Sequence, residues 1–212
     1  MTKLLFIRHG QSMANAQKRF AGHYNIPLTE LGEKQAQATA EFIVNNYKVD
    51  AVYASDLIRA YETGKAVADK LSLPVITHEG MREINAGEWE ARTFDDLLEN
   101  DENFRIWRED ISLGQCTGGE SAKDVYERIY KTVCEIAREN DGKTVVIATH
   151  ATPIRVIETR ISGRPFSHMK NIPWVTNASV SEVDFIDGRL FAVKMVQDAH
   201  LAGLMSTLPA NV

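Results

Sequence analysis

Cysteine is scarce in this sequence, long apolar runs are missing, and positive charge is not in excess. Only Cys116 and Cys134 occur among 212 residues, with no CxxC spacing. A fold stapled by several disulfides is thereby excluded, and reduced thiols in a reducing compartment are the expectation. The opening MTKLLFIRHG holds a four-residue apolar run, Leu4 to Ile7, before Arg8. Such a run is too short for the core of a secretory signal and far short of a membrane span. A cytoplasmic location without membrane contact is therefore expected. Lys and Arg total 24 against 29 Asp and Glu, a net charge of -5. Nucleic-acid binders usually carry a basic excess or stripe, so no nucleic-acid partner is expected. A small anionic ligand stays open, because a few arginines can make a local positive pocket on an acidic protein. A homodimer is also compatible with the sequence.

What is present is an ordinary globular balance, 44% hydrophobic and 25% charged, which excludes a disordered chain. A chain of this length buries roughly 70% of the surface its unfolded form exposes, so no staple is needed. One domain over residues 1–212 is expected.

Leu4 to Ile7 is continuously apolar, as in a strand buried on both faces. After Pro27-Leu28-Thr29 a helical pattern follows, with Ala36, Ala40, Ile43, Val44 and Tyr47 on one face and Thr29 placed to cap it. Ala51 to Ala54 reads as a strand and Ser55-Asp56 as a helix start, leading to Ala60, Val67 and Leu71 at helical spacing. Pro74 to Thr77 reads as a third strand. Residues 80–118 break the rhythm with charge and aromatics (Trp89, Phe94, Phe104, Trp107), and are expected to form an inserted lid of short helices. Ser121 then caps a helix with Val125, Ile129, Val133 and Ile136 on its face. Strand Thr144 to Ala148 leads into Thr149-His150 and a helix from about Pro153 to Ile161. Val180 to Ile186 and Leu190 to Val196 flank Asp187-Gly188, a strong hairpin signal. Strands alternating with helices, then one late hairpin, indicate an α/β fold with a mainly parallel sheet and helices on both faces.

Ligands of such sheets sit beyond the carboxyl ends of the strands. The first strand delivers Arg8 and His9, the second is followed by Arg59, the third by Glu83, and the strand before residue 150 delivers His150. This set has a coherent chemistry. Arginine forks match the oxygens of a phosphomonoester dianion. A neutral imidazole can attack phosphorus and split one hard displacement into two. A carboxylic acid can protonate the leaving oxygen and then deprotonate the attacking water. The second histidine, if protonated, adds charge stabilisation.

Arg8-His9-Gly10-Gln11-Ser12 with Asn15 resembles the N-terminal signature of the histidine phosphatase superfamily, the phosphoglycerate mutase-like proteins. The likeness continues through Phe20-Ala21-Gly22, Pro27-Leu28-Thr29 and Gly32 to Ala36, then Ser55-Asp56-Leu57 with Arg59-Ala60 and Thr63. It recurs at Arg82-Glu83-Ile84 with Gly87-Glu88-Trp89, at Gly118-Gly119-Glu120-Ser121, and at Thr149-His150 with Pro153-Ile154-Arg155. Asn177-Ala178-Ser179 matches the family's last sheet strand. This ordered set is specific, whereas a lone RHG would be weak. The resemblance implies a three-layer α/β/α sandwich, no metal and no cofactor. It implies that His9 is the phosphorylated nucleophile, Glu83 the proton donor and acceptor, and Arg8, Arg59 and His150 the rest of the phosphate pocket. Gln11, Asn15, Ala21, Gly22 and Ala151 complete the implied substrate-binding set, Asn15 as a side-chain donor and Gly22 through its backbone N–H. Three departures stand out: Ala151 where many members have Gly, Asn25 where Asp is common, and Gln11 with Ala14 where the glycolytic mutases typically carry Glu and Trp.

Plainer readings apply elsewhere. His23, His78, His168 and His200 read as surface or packing residues. Arg92, Arg105, Arg108 and Lys123 are open to binding a second anionic group, but such charges more often form a solvated face. Trp89, Phe94 and Trp107 read as lid core. The leading functional expectation is a phosphomonoester hydrolase acting on a small phosphorylated metabolite. Its rivals are a mutase that returns the phosphoryl group to product, and a silent phospho-ligand-binding module. A mutase would be expected to carry a longer lid with paired basic residues, and a silent module to have lost one of the five pocket residues.

Overall fold

The computed structural model describes residues 1–206. Its six strands are β1 (Thr2–Arg8), β2 (Ala51–Ala54), β3 (Val75–Thr77), β4 (Thr144–Thr149), β5 (Val180–Ile186) and β6 (Arg189–Gln197). They form one sheet in the order β3-β2-β4-β1-β5-β6. The first four pair in parallel, and β5 and β6 add an antiparallel edge. The parallel strands therefore present their carboxyl ends along one rim.

Side-chain alternation divides the core between two faces of this sheet. Leu5, Ile7, Val52 and Val146 pack with Ala36, Ala40 and Ile43 of α2 (Glu30–Asn46) and Val67 of α3 (Ile58–Leu71). Leu4, Phe6, Val145 and Ile147 pack instead with Ile129 and Val133 of α6 (Ala122–Glu139) and Ile154 and Ile157 of α7 (Ala151–Ile161). The central strands are hydrophobic on both faces because both are covered. The result is the expected three-layer α/β/α sandwich.

Several local signals act as their chemistry suggests. Thr29 and Ser121 each cap their helix by accepting a backbone N–H three residues on. Asp187-Gly188 turns the β5–β6 hairpin with φ of 49° and 80°. Val44 and Tyr47 are only half-buried, and Tyr47 lies past the end of α2.

Several boundaries differ from the sequence reading: β3 starts at Val75, β4 runs on to Thr149 and β6 extends a residue at each end. β1 extends beyond Leu4–Ile7 to Thr2 and Arg8. Ser55-Asp56 does not cap α3, whose N-cap is Leu57 without a side-chain bond; both side chains are drawn to other partners at the rim. α7 starts at Ala151, two residues before Pro153, because a proline in the first turn lacks only an N–H that would be unsatisfied anyway. Asn177-Ala178-Ser179 is not the last strand. Ala178 takes φ 60°, which keeps the segment out of β5, and β6 lies beyond.

Residues 79–113 carry 3-10 turns at Glu79–Met81, Gly87–Trp89 and Ile111–Leu113, with α4 (Phe94–Asn100) and α5 (Glu102–Glu109) between them. Phe20, from the loop after α1 (Met13–Ala16), meets Trp89, Phe94, Phe104 and Trp107 edge-on at centroid distances of 5.2–6.1 Å. This edge-to-face geometry suits the aromatic quadrupole and ties the segment to the sheet rim. Trp89 and Trp107 are buried core, as expected, whereas Phe94 is only half-buried and Phe104 is buried in their company.

The turn carrying the first histidine depends on a backbone contact. A Cβ at Gly32 would lie 2.1 Å from the carbonyl oxygen of Gln11, and one at Gly10 would lie 2.3 Å from that of Gly32. Neither obstacle is a side chain that can swing away. Gly32→Ala is expected to cost ~1–3 kcal/mol of stability by overpacking. The midpoint of urea unfolding measures this, and an unchanged midpoint would show that the loop and α2 separate freely.

Candidate functional site

The rim where β1, β2 and β4 end brings together side chains far apart in sequence. His9 follows β1 directly, and its N–H donates to the Thr149 carbonyl at 2.9 Å. Its own carbonyl accepts from Asn177 Nδ2 at 3.1 Å. His9 Nδ1 lies 2.7 Å from the Gly10 carbonyl. A carbonyl can only accept, so Nδ1 carries the proton and Nε2 keeps its lone pair. Burial, then Arg59 and Arg8, holds the imidazolium form well below the ordinary histidine range. A neutral ring whose Nε2 keeps its lone pair is what a nucleophile needs; in the empty site that lone pair accepts the Arg59 Nε–H at 3.3 Å.

Two guanidinium groups share the cavity with that ring. Arg59, in the first turn of α3, is fully buried and points Nε at His9 Nε2, 3.3 Å away. Its other nitrogens donate to the Gly22 and Tyr24 carbonyls at 2.8 and 3.1 Å, pinning the loop that closes the site. Arg8 is 6% exposed and donates Nη1 to the Val175 carbonyl, while its Nε has no partner. Burial lowers both arginines to about 10, which leaves them charged at neutral pH. Neither makes an ion pair among the described residues; Glu83 is the carboxylate whose field reaches both. Buried cations without an ion-paired carboxylate are costly, so the site is electrostatically incomplete without an anion.

His150 ends β4 and caps α7. Its ring centre lies 5.2 Å from that of His9, and its Nε2 lies 2.8 Å from Ser55 Oγ. Ser55 Oγ already accepts the Leu57 N–H at 3.3 Å. The arrangement is saturated when the hydroxyl donates to His150 Nε2, which leaves the proton on Nδ1. That Nδ1 is buried and without a hydrogen-bond partner; His150 lies behind His9 rather than in the lining of the cavity. Burial and Arg59 lower the His150 pKa well below 6.5. The ring is therefore neutral and contributes an N–H rather than the charge considered from sequence.

Glu83 sits between the turn at Glu79–Met81 and the start of α7. Its Oε1 accepts its neighbour's N–H, Ile84, at 2.9 Å, and Oε2 lies 3.4 Å from the Thr152 N–H. Arg128 holds this loop from below, donating to the carbonyls of Gly80, Arg82 and Glu83 and pairing with Glu120 at 2.8 Å. His23 Nε2 donates to the same Glu83 carbonyl at 2.9 Å.

Arg8, His9, Asn15, Ala21, Gly22, Arg59, Glu83 and Ala151 all line one cavity of about 60 Å³. Asn15 Oδ1 accepts from Ser12 N, Ser12 Oγ and Asn177 Nδ2, so its amide must present the nitrogen elsewhere as a donor. Gly22 takes φ 51°, and a Cβ there would lie 2.5 Å from that of Ala86. Its N–H makes no hydrogen bond among the described residues. Gln11 is not brought to the cavity: its Oε1 accepts from Thr29 Oγ1 at 2.8 Å, and its backbone N–H donates to Gln35. Sequence reasoning missed Ser55, His23 and Arg128 as groups that orient the site. Ser55 and His23 looked like a cap and a surface residue, since their partners lie 95 and 60 positions away. His78, His168 and His200 do pack locally; His200 stacks on Phe42 at 4.5 Å.

Residues 4–198 match the family model described as histidine phosphatase superfamily (branch 1). The chain belongs to that superfamily. A bifunctional protein of Mycobacterium tuberculosis is 36% identical over 157 residues, 74% of this chain but 43% of that protein, so the chain spans under half of that relative. Phosphoserine phosphatase 1 of Hydrogenobacter thermophilus is 30% identical over 202 residues, covering 95% of each. Among solved structures, Bacillus stearothermophilus YhfR superposes with a TM-score of 0.90 at 27% identity, covering 95% of this chain and 100% of that one. The mycobacterial glucosyl-3-phosphoglycerate phosphatase in complex with VO3 gives 0.83 at 27% identity, covering 92% and 98%.

Two outcomes follow from the imidazoles. Both have depressed folded-state pKa values, so as pH falls through 6.5 the unfolded histidines bind protons first and stability declines. Ring C–H shifts of His9 and His150 are expected to stay at their neutral positions from pH 8 to below 6.5; a midpoint at or above 6.5 for either contradicts the electrostatic account. Ser55→Ala is expected to free His150 Nε2 to carry the proton and to weaken vanadate binding by roughly ten-fold. Ring 15N shifts report the tautomer, and an unmixed Nδ1–H form in the variant shows that Ser55 does not set it.

Proposed function

We propose that this chain is a phosphomonoester hydrolase that carries the phosphoryl group on His9. The single observation behind this reading is that two buried guanidinium groups without ion-paired carboxylates line one cavity with a neutral imidazole, one of them donating to its Nε2. A phosphoryl dianion supplies the missing negative charge and puts phosphorus in reach of Nε2. Arg8, Arg59, Asn15, the Gly22 N–H and the His150 Nδ1–H then hold its non-bridging oxygens, and the first residues of α7 offer N–H groups at a helix start. These fixed donors stabilise the charge that gathers on those oxygens during in-line transfer.

In the first step Nε2 attacks phosphorus, the ester P–O bond breaks, and the proton on Glu83 passes to the leaving oxygen. In the second, Glu83 takes a proton from water, whose oxygen attacks phosphorus and releases phosphate and His9. The chemistry asks for no metal, since guanidinium groups carry the positive charge. The substrate is a small phosphorylated metabolite, the inserted segment over residues 80–118 serves as a lid, and the compartment is the cytoplasm. No helix is long and apolar enough to cross a membrane among the described residues. Similarity to a phosphoserine phosphatase and to a glucosyl-3-phosphoglycerate phosphatase supports hydrolysis.

His9→Ala is expected to abolish acid-labile labelling from a 32P-ester and to remove turnover; a variant that keeps a tenth of wild-type turnover would sink the covalent scheme. Comparing phosphate release from 3-phosphoglycerate with its conversion to 2-phosphoglycerate separates hydrolysis from mutase action. Glu83→Gln is expected to slow alkyl phosphates by about a hundred-fold in phosphoryl-enzyme formation, yet p-nitrophenyl phosphate far less, because its phenolate departs without a proton. Equal slowing of both substrates in that step removes Glu83 from the acid role.

A further inference from the structure

After β6 the chain folds back along α2. Residues 198–206 make a 3-10 turn at Ala199–Leu201 and then run irregularly to Ser206. Leu201 is fully buried, and His200 stacks on Phe42 of α2. None of these residues lines the catalytic cavity. Three of their polar contacts nevertheless end on buried side chains that also hold the stretch from Arg8 to Asn15. His200 Nε2 lies 2.9 Å from Thr39 Oγ1, whose hydroxyl donates to the Ala178 carbonyl at 2.8 Å. The Ala178 N–H in turn donates to the Arg8 carbonyl at 3.0 Å. Gln35 Nε2 donates to the Leu204 carbonyl at 2.7 Å, while its Oε1 accepts the Gln11 N–H at 2.7 Å. Ser206 Oγ donates to Asn177 Oδ1 at 2.9 Å.

The third contact reaches furthest into the chemistry. Asn177 Nδ2 donates both to the His9 carbonyl at 3.1 Å and to Asn15 Oδ1 at 3.2 Å. One amide nitrogen thus ties the backbone of the nucleophile to a side chain that lines the cavity. An amide oxygen only accepts and its nitrogen only donates, so each bond fixes which end points where. The Ser206 hydroxyl meets the oxygen of Asn177 and keeps the nitrogen turned to His9 and Asn15. Asn15 Oδ1, which also accepts from Ser12 N and Oγ, is held away from the cavity, and Nδ2 is the end left for a ligand. Asn177 is 1% exposed. An inverted Asn177 amide would set oxygen against oxygen at both His9 and Asn15, with no water to relieve either contact.

We propose that Asn177 is a positioning residue for the phosphoryl site, held in its working orientation by Ser206, so that residues 198–206 act on the chemistry without touching substrate. The inference rests on the reading of Asn15 as a donor to the phosphoryl oxygens. Ser12 fixes Asn15 only within the first turn of α1, where both belong to one capping box. Asn177 adds the bond that sets Asn15 relative to His9, and so sets the donor relative to the attacking ring.

Vanadate affinity, measured by calorimetry, tests the relay through a double-mutant cycle. Asn177→Ala is expected to weaken vanadate binding about ten-fold, the scale of a lost buried hydrogen bond. In an Asn15→Ala background the same change is expected to cost about three-fold or less, because a residue acting through another is not additive with it. Ser206→Ala removes one hydroxyl and leaves the core intact, so it carries the test even if Asn177→Ala fails to fold. Its expected cost is about three-fold in the wild-type protein and none in Asn15→Ala. Equal losses in both backgrounds, or unchanged binding in the single variants, overturn the relay. A second readout needs no ligand: the side-chain amide signals of Asn15 are expected to shift in Ser206→Ala, and unmoved signals also overturn it. Phosphate release is measured separately. A wild-type protein that neither binds vanadate nor hydrolyses any ester sinks the hydrolase reading, while the Asn15 signals still judge the relay.

Discussion

Two buried guanidinium groups facing one neutral imidazole are the constraint on which the rest of this site depends. Like charges without an ion-paired carboxylate repel each other and lose their hydration, so only a rigid surround keeps them together. Arg59 is held by two loop carbonyls and Arg8 by one, both within hydrogen-bonding reach. These neutral acceptors fix orientation without cancelling charge. A carboxylate in the same places would stabilise the empty protein and block the anion. The site is thus less stable than it could be, in favour of a bound dianion.

The histidines follow from the same field. Both are kept neutral by burial and by Arg59, and each is given a defined tautomer by one neighbour. The Gly10 carbonyl accepts from His9 Nδ1–H and leaves the Nε2 lone pair facing Arg59, while Ser55 takes up Nε2 of His150 and leaves Nδ1–H without a partner. One ring becomes a nucleophile and the other a donor through different hydrogen-bond partners, although both end parallel strands on the same rim. Glu83, by contrast, is carried by an irregular loop, and the fold fixes that loop with Arg128 on its carbonyls and with the aromatic packing of Phe20 against Trp89.

Much of this was legible in the chain itself. Continuous apolar runs such as Leu4–Ile7 marked two-faced strands, caps at Thr29 and Ser121 marked helix starts, and Asp187-Gly188 marked the hairpin, because each signal is local and uses neighbouring backbone. The five residues Arg8, His9, Arg59, Glu83 and His150 could be named because parallel strands put their ends on one rim, so order along the chain implied convergence in space. What sequence could not decide was which atom of a side chain is spent and which is free. Gln11 belongs to the motif but is used up on Thr29; Ser55 looks like a helix cap but serves His150; the pattern alone left the charge of His150 open, and burial makes it neutral. Residue type and spacing determine the fold and the class of chemistry, because these depend on periodicity and valence. Protonation, tautomer and free valence depend on desolvation and on partners tens of residues away, and those exist only in the folded chain.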